Sequence, residues 1–410
     1  MPELNCVFFT GTKPCGKSKS CNQECSSYRP RGSQILLIHL GALGAVVRST
    51  ALLQPILQKY PNSQITWVTQ SPAHHLLKKH PSLYRVLSLS EADLLHISTL
   101  EFDVAFVVDK SPEAMGVLKR TYARKVYGFI SNAQGVVIPA TGSAEELWHI
   151  GLSDELKFKI NKKTEIQLTQ EALELSPKAG DYELPLFDSE KDVQYERYDK
   201  WSQARQKIIV GLNTGCAATI SAKKLSIQSH RELIRKLSKN PLYQIVLLGG
   251  PEDTERNKQI AEGFRNVIQS PTTLGLRDGL ISVAACDVVI TGDSLGMHMA
   301  ISQKKYVIAW FGPTCAHEIE LYGRGVKIQS QVNCGPCWKR SCHKPAMCYD
   351  LVNLDEITYA VERYVLSFQH EISIESRDSN SLPRRFTSGS SPSALDAENT
   401  PHNSSGIDLS

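Results

Sequence analysis

The sequence predicts an α/β protein built from two doubly wound parallel sheets in tandem. Short strands that are apolar throughout ("QILLIHL", "QITWVT", "YRVLSL", "FDVAFVVD") alternate with helix-patterned segments. The same alternation restarts near Lys207, and the stretch between, roughly 153–206, turns polar and charged. Strands without a polar face, separated by helices, belong in parallel sheets covered on both sides.

Taken in order, residues 1–32 form a cysteine-bearing extension, and 33–205 a first doubly wound unit including the bridging segment. Residues 206–370 form a second such unit with its own cysteine group, and 371–410 a disordered tail. In "GAVVRSTALLQPILQKYP" Val46, Leu53, Ile56 and Leu57 fall at helical spacing, giving one buried face. Pro55 should kink or split that helix. "PAHHLLKKHP" is the next helical segment. In the second unit "KIIVGLNTG", "YQIVLLGGPED", "DVVITGDS" and "KYVIAWFGPT" are strands that run into turns, with "HRELIRKL" an amphipathic helix among them. From about Ser376 the chain is rich in Ser, Pro, Asn and charge, too poor in apolar residues to bury a core.

Composition narrows the function. The 410 residues suffice for two domains, and 41% hydrophobic with 21% charged residues is ordinary for a globular protein. A net charge of +4, from 46 basic and 42 acidic residues, is too slight to argue for nucleic acid. No apolar run approaches the roughly 18 residues of a spanning helix, and the N-terminus lacks a signal-peptide pattern. The expectation is a cytoplasmic protein, with contact at the cytoplasmic face of a membrane as a further option.

Eight of the eleven cysteines fall into two groups: Cys6, Cys15, Cys21 and Cys25, then Cys334, Cys337, Cys342 and Cys348. Thiolates in fours suit structural zinc or an iron–sulfur cluster, and Cys334-x2-Cys337 is the tightest pair. Free loop thiols or a redox disulfide are the alternatives.

Two doubly wound units leave a cleft between the carboxyl ends of their strands, where such sheets bind ligands. The sharpest segment there is "VVITGDSLGMHMAISQKKYVIAWFGPT". A buried strand ends in Thr291, Gly292, Asp293 and Ser294, and a helix opens with Leu295 and Gly296. Asp and Ser are good helix N-caps, and free N–H groups at a helix start favour phosphate. His298 sits one turn in, able to reach the same ligand or to be a satisfied core histidine. "NTGCAATISAKKLS" adds hydroxyls, N–H groups, Lys223 and Lys224. The turn Gly249-Gly250-Pro251-Glu252 reads equally as a nucleotide contact or as a plain strand-to-helix turn.

These segments together resemble glycosyltransferase family nine, the ADP-heptose:lipopolysaccharide heptosyltransferases and their relatives. The likeness rests on "ILLIHLGALGAVVRST", "QKYPNSQITWVT", "LLGGPEDTE", "TGDSLGMHMA", "FGPT" and "CGPCWKRSC" in that order, over residues 34 to about 365. The N-terminal "FTGTKPC…C…C" resembles an extension found on some members. The resemblance implies the GT-B architecture, with a glycolipid or oligosaccharide acceptor on the first domain and a nucleotide-activated sugar of ADP-heptose type on the second. It implies inverting transfer without an obligatory metal or other cofactor. It places Asp293 on sugar hydroxyls, the N–H groups of Ser294, Leu295 and Gly296 on the diphosphate, and His298 against the donor. Lys223 would balance charge on the departing diphosphate, with Thr219 as a phosphate ligand.

One position departs from the family's pattern. The acceptor-side loop "GALGAVV" (Gly41, Gly44, Ala45) ordinarily carries an aspartate after its second glycine, the proposed general base, and here it is Ala45. A methyl group accepts no proton. His39, ending the preceding strand, is the first candidate substitute, and Asp109, ending "FVVD", the second. The rival expectation is a catalytically impaired relative that binds nucleotide-sugar or glycan, its cysteine groups serving structure or redox sensing.

Overall fold

The computed structural model describes residues 4–378 except 14, 19–20, 23 and 177–179. Twelve strands form two six-stranded sheets. The first comprises β1 (Gln34–Ile38), β2 (Gln64–Val68), β3 (Arg85–Leu87), β4 (Glu101–Val107), β5 (Tyr122–Ser131) and β6 (Val137–Pro139). Their order is β3-β2-β1-β4-β5-β6. The second comprises β7 (Ile208–Asn213), β8 (Tyr243–Leu248), β9 (Val267–Gln269), β10 (Val288–Gly292), β11 (Tyr306–Phe311) and β12 (Gly325–Gln329). Their order is β12-β11-β10-β7-β8-β9. Numbered within each unit, both sheets have the doubly wound order 3-2-1-4-5-6, which reverses between the first and fourth strands. In each unit the crevice therefore lies where those two strands end.

The parallel expectation holds except at one edge. β6 pairs antiparallel with β5, Phe129 opposite Pro139, because β5 turns straight back through a short hairpin instead of crossing over a helix. Pro55 acts as expected: the first helix divides into Leu43–Ser49, a 3-10 turn Thr50–Leu52 and Leu53–Lys59. Pro55 falls in the first turn of the last piece, where its missing N–H costs nothing.

The polar bridge folds largely as helices, and Asp188–Trp201 leans on the second unit. Arg197 forks onto Asp278 at 2.6 and 3.2 Å and reaches Ser282 Oγ at 2.8 Å, so this helix is clamped to helix Leu276–Ala284. One buried apolar cluster runs from Leu37, Val46 and Trp67 through Tyr182 and Leu184 to Met297, Ala300 and Val307. It joins the two sheets and fixes how their crevices face each other. The C-terminal helix Leu354–Asp378 enters the span expected to be disordered by eight residues, since extending a formed helix is cheap where starting one is not. Residues 379–410 of that expected tail lie outside the described residues. Among those described, no helix is long and apolar enough to cross a membrane.

Candidate active site

The first-sheet side is built from the ends of β1 and β4, neighbours in register with Ile38 opposite Val107. His39 follows β1 and points inward: it is 5% exposed, its Nδ1 lies 2.6 Å from Ser49 Oγ, and its carbonyl accepts from Trp67 Nε1. Burial, with the Arg48 charge adding to it, pushes the imidazole down to about 4 against the pull of Asp109. Asp109 is half-buried at the mouth of the crevice and accepts the Leu40 N–H at 2.6 Å, which pins the start of the glycine loop. Gly41, Gly44 and Ala45 are all half-buried, and helix Leu43–Ser49 begins at Ala42 with no side-chain cap.

Gly44 is glycine for a visible reason. A Cβ there would stand 2.5 Å from His298 Cδ2, so the loop lets the two units close onto one another. The His298 ring is 4% exposed and stacked on Tyr182 at 5.9 Å, so its apolar faces are satisfied, while its Nδ1 is buried without a partner.

The second-sheet side gathers around the end of β10. Lys223 Nζ lies 3.3 Å from Asp293 Oδ2, and His298 Nε2 lies 3.9 Å from Asp293 Oδ1. Burial works against ionising Asp293, yet the Lys223 charge holds its carboxyl below the usual carboxylate range. Burial, followed by the Arg48 and Lys223 charges, pushes His298 down to about 3, so this ring is neutral at working pH. Leu295 and Gly296 are half-buried, and Thr219 is exposed on the turn Ala218–Lys223.

Ser294 occupies the N-cap position without capping. Its Oγ accepts from Asn213 Nδ2 at 2.9 Å and pairs with Thr291 Oγ, leaving the N–H groups at the start of helix Leu295–Ser302 without a side-chain acceptor. Asn213, at the end of β7, also donates to Gly215 O and Thr291 Oγ. It fills the space a Cβ on Gly296 would need, 2.7 Å away. The turn Gly249–Glu252 is held by Asp253, which accepts the Gly250 N–H at 3.1 Å and faces Lys224 at 3.9 Å. A turn tied to itself in this way accounts for that segment without a ligand.

Two groups in the crevice are not assigned from the sequence. Arg48 pairs with Glu165 at 2.6 Å, bringing a bridge residue to the first helix. Cys315, His317 and Glu318, just past "FGPT", form the group among the described residues whose ligand atoms all lie within 4.8 Å of one another. Burial pushes Glu318 up to about 7 and Cys315 to about 12, and Lys157 lies 3.7 Å from Glu318. These donors have the chemistry to hold a borderline cation, with Lys157 competing for the carboxylate.

The second cysteine group braces the same loop. Cys337 and Trp338 donate their N–H groups to Pro313 O at 3.0 and 2.9 Å. Cys348 Sγ lies 2.9 Å from where a Gly312 Cβ would be, and burial together with neighbouring Cys337, Cys342 and Cys334 pushes its thiol up.

Comparison with known proteins accords with this geometry. Residues 150–347, which include the whole second sheet, match the model of glycosyltransferase family 9 (heptosyltransferase). The chain is 22% identical over 305 residues to lipopolysaccharide heptosyltransferase 2 of Escherichia coli (strain K12), covering 68% of this chain and 83% of that protein. The crystal structure of the glycosyl transferase family 9 from Veillonella parvula DSM 2008 superposes with a TM-score of 0.63 at 15% identity, covering 82% of this chain and 98% of that one. The E. coli ADP-heptose lps heptosyltransferase II structure gives 0.59 at 16% identity, covering 81% and 99%. At such identities the structural likeness speaks for the fold, which is GT-B. With a family model matching residues 150–347 and a relative aligned along most of the chain, this protein is a glycosyltransferase similar to family 9, the heptosyltransferase family.

Proposed function

We propose that the protein transfers a heptose-type sugar, with inversion, from an ADP-heptose-type donor to lipopolysaccharide or another cell-envelope glycan at the cytoplasmic face of the inner membrane. The observation that carries this reading is the Lys223–Asp293–His298 constellation beside an uncapped helix start at the end of β10. In this reading residues 33–205 hold the glycolipid acceptor and 206–370 the donor.

A departing nucleoside diphosphate gains negative charge in the transition state. The N–H groups of Ser294, Leu295 and Gly296 stabilise it, with Lys223 as the cation and Thr219 as a further donor. Asp293, kept ionised by Lys223, accepts from sugar hydroxyls. The neutral His298 packs the donor side of the closed cleft. Transfer by this route needs no resident metal or other cofactor.

The acceptor hydroxyl must lose its proton as the new glycosidic bond forms. Ala45 cannot take it, and His39 is enclosed, held by Ser49 and a weak base. Asp109 is the better-placed substitute, half-buried at the crevice mouth beside the glycine loop.

The test is ADP release from ADP-heptose with a crude lipopolysaccharide acceptor. Lys223→Ala and Asp293→Ala should lower kcat by roughly 10²–10³. Asp109→Asn should lower it by roughly 10²–10⁴, and His39→Gln by far less. Wild-type-like turnover in Lys223→Ala would overturn the donor assignment. A second reading, a donor-binding relative that leaves the sugar in place, is favoured by Ala45 alone. It predicts ADP-heptose binding without ADP release, and activity appearing in Ala45→Asp.

A further inference from the structure

The extension before β1 has little to hold it together by ordinary means. Among its described residues 4–32 no helix or strand forms, and the regular pairing is one isolated bridge, Cys6 to Pro30. Its few apolar side chains, such as Val7, Phe8, Phe9 and Tyr28, cannot offset the entropy of ordering such a segment. It is nevertheless turned and docked. Val7 N–H donates to Arg29 O and Arg31 N–H to Asn5 O, both at 2.9 Å. Arg31 also reaches Phe9 O at 2.7 Å and Gln64 at the start of β2, and Tyr84 Oη donates to Val7 O at 3.2 Å.

All four cysteines of this segment, spread over twenty residues of chain, line one cavity of about 20 Å³ together with Phe8, Phe9, Lys17 and Tyr28. That volume is enough for a single ion. The backbone is arranged for thiolate. Lys17 N–H donates to Cys15 Sγ at 3.4 Å. The backbone N–H groups of Arg29, Phe8 and Phe9 lie against the Cys6 thiol, with the Arg31 charge nearby. Lys17 and Arg29 stand over the Phe8 ring at 5.6 and 5.9 Å, beside the same cavity. N–H groups and cations turned toward sulfur lower the cost of gathering negative charge there.

We infer that Cys6, Cys15, Cys21 and Cys25 bind one zinc ion that staples the N-terminal extension to the first sheet. Binding replaces four S–H bonds by four Zn–S bonds and releases four protons, leaving a dianionic tetrathiolate partly neutralised by Lys17, Arg29 and Arg31. The thiols are more widely spaced than the ligand atoms around Cys315, and a segment held by turns has the freedom to close them on an ion. This site is separate from Cys334, Cys337, Cys342 and Cys348, which lie against the donor-side loop.

The experiment uses the full chain, purified with reductant and without oxygen, with zinc measured by elemental analysis. Cys21→Ser/Cys25→Ser should hold about one zinc equivalent less than wild type, and Cys334→Ser/Cys337→Ser should keep the N-terminal ion. Zinc added to chelator-treated wild type should protect Cys6, Cys15, Cys21 and Cys25 from alkylation, read by mass spectrometry. An unchanged unfolding midpoint for the two sheets in the serine variant would separate metal loss from misfolding. Equal zinc content in wild type and Cys21→Ser/Cys25→Ser would overturn the inference. So would equal alkylation with and without zinc, N-terminal disulfides in the reduced protein, or iron with sulfide in place of zinc.

Discussion

Replacing Gly44 by alanine isolates how the two units meet. Two effects oppose each other. Gly44 lies in helix Leu43–Ser49, where alanine is intrinsically better by up to about 1 kcal/mol. Against this, the new Cβ would stand 2.5 Å from His298 Cδ2 and 3.1 Å from Nε2. The ring has no easy retreat, being enclosed and stacked on Tyr182. Overpacking of this kind costs about 1–3 kcal/mol, so the clash wins by about 1 kcal/mol, relieved by displacing His298 or parting the units. Thermal unfolding should fall by a few degrees at most. Affinity for ADP should fall further, roughly tenfold, because His298 and Asp293 belong to the proposed donor site. Gly279 is the control: it lies in helix Leu276–Ala284 and its added Cβ meets nothing within 4 Å, so Gly279→Ala should stabilise. If Gly44→Ala melted and bound ADP like wild type while Gly279→Ala behaved as expected, the close approach of Gly44 and His298 would be refuted.

Other expectations concern charge and polar anchoring. Burial raises the Glu318 carboxyl from 4.5 to about 7, so between those pH values the folded chain keeps a proton that the unfolded chain has lost. Stability should therefore fall as pH rises through that window and then level off, by up to about 3 kcal/mol. Glu318→Gln should flatten this slope and unfold later than wild type at pH 8, less whatever the Lys157 contact contributes; denaturant curves at pH 5 and 8 decide. Arg197→Ala strands Asp278 and Ser282 and should cost about 3 kcal/mol, with a double-mutant cycle against Asp278→Ala recovering a large coupling. Asn213→Ala removes the donor to Thr291, Ser294 and Gly215; donor KM should rise roughly tenfold while acceptor KM holds, a split that a general loss of folding would not give.

What the sequence determined by itself is local and periodic. Unbroken apolar strands such as "ILLI" and "VVIT" have nowhere to go but the middle of covered parallel sheets, and the glycine, Asp293 and Ser294 punctuation marks where those strands release the chain. That is enough to read two doubly wound units, the strand-to-helix turn at Asp293 and Ser294, and the thiol groups, because each is a feature of neighbouring residues. Pro55 could be read the same way, since its missing N–H acts within one turn.

Only the tertiary structure decided which of these residues meet. The reversal of an edge strand, β6, depends on a short hairpin that no periodicity announces. His39 looked available in sequence and is enclosed because Ser49, Trp67 and β2 close over it. Asn213, Arg48 and Glu318 gain their roles from partners far along the chain, and Glu318 is raised only because distant elements exclude water from it. Gly44 is the clearest case: its need for no side chain is set by His298, which lies over two hundred residues away in sequence and in van der Waals contact in space. Such pairs follow from how two packed sheets face one another, a long-range property that no local pattern of residue types encodes.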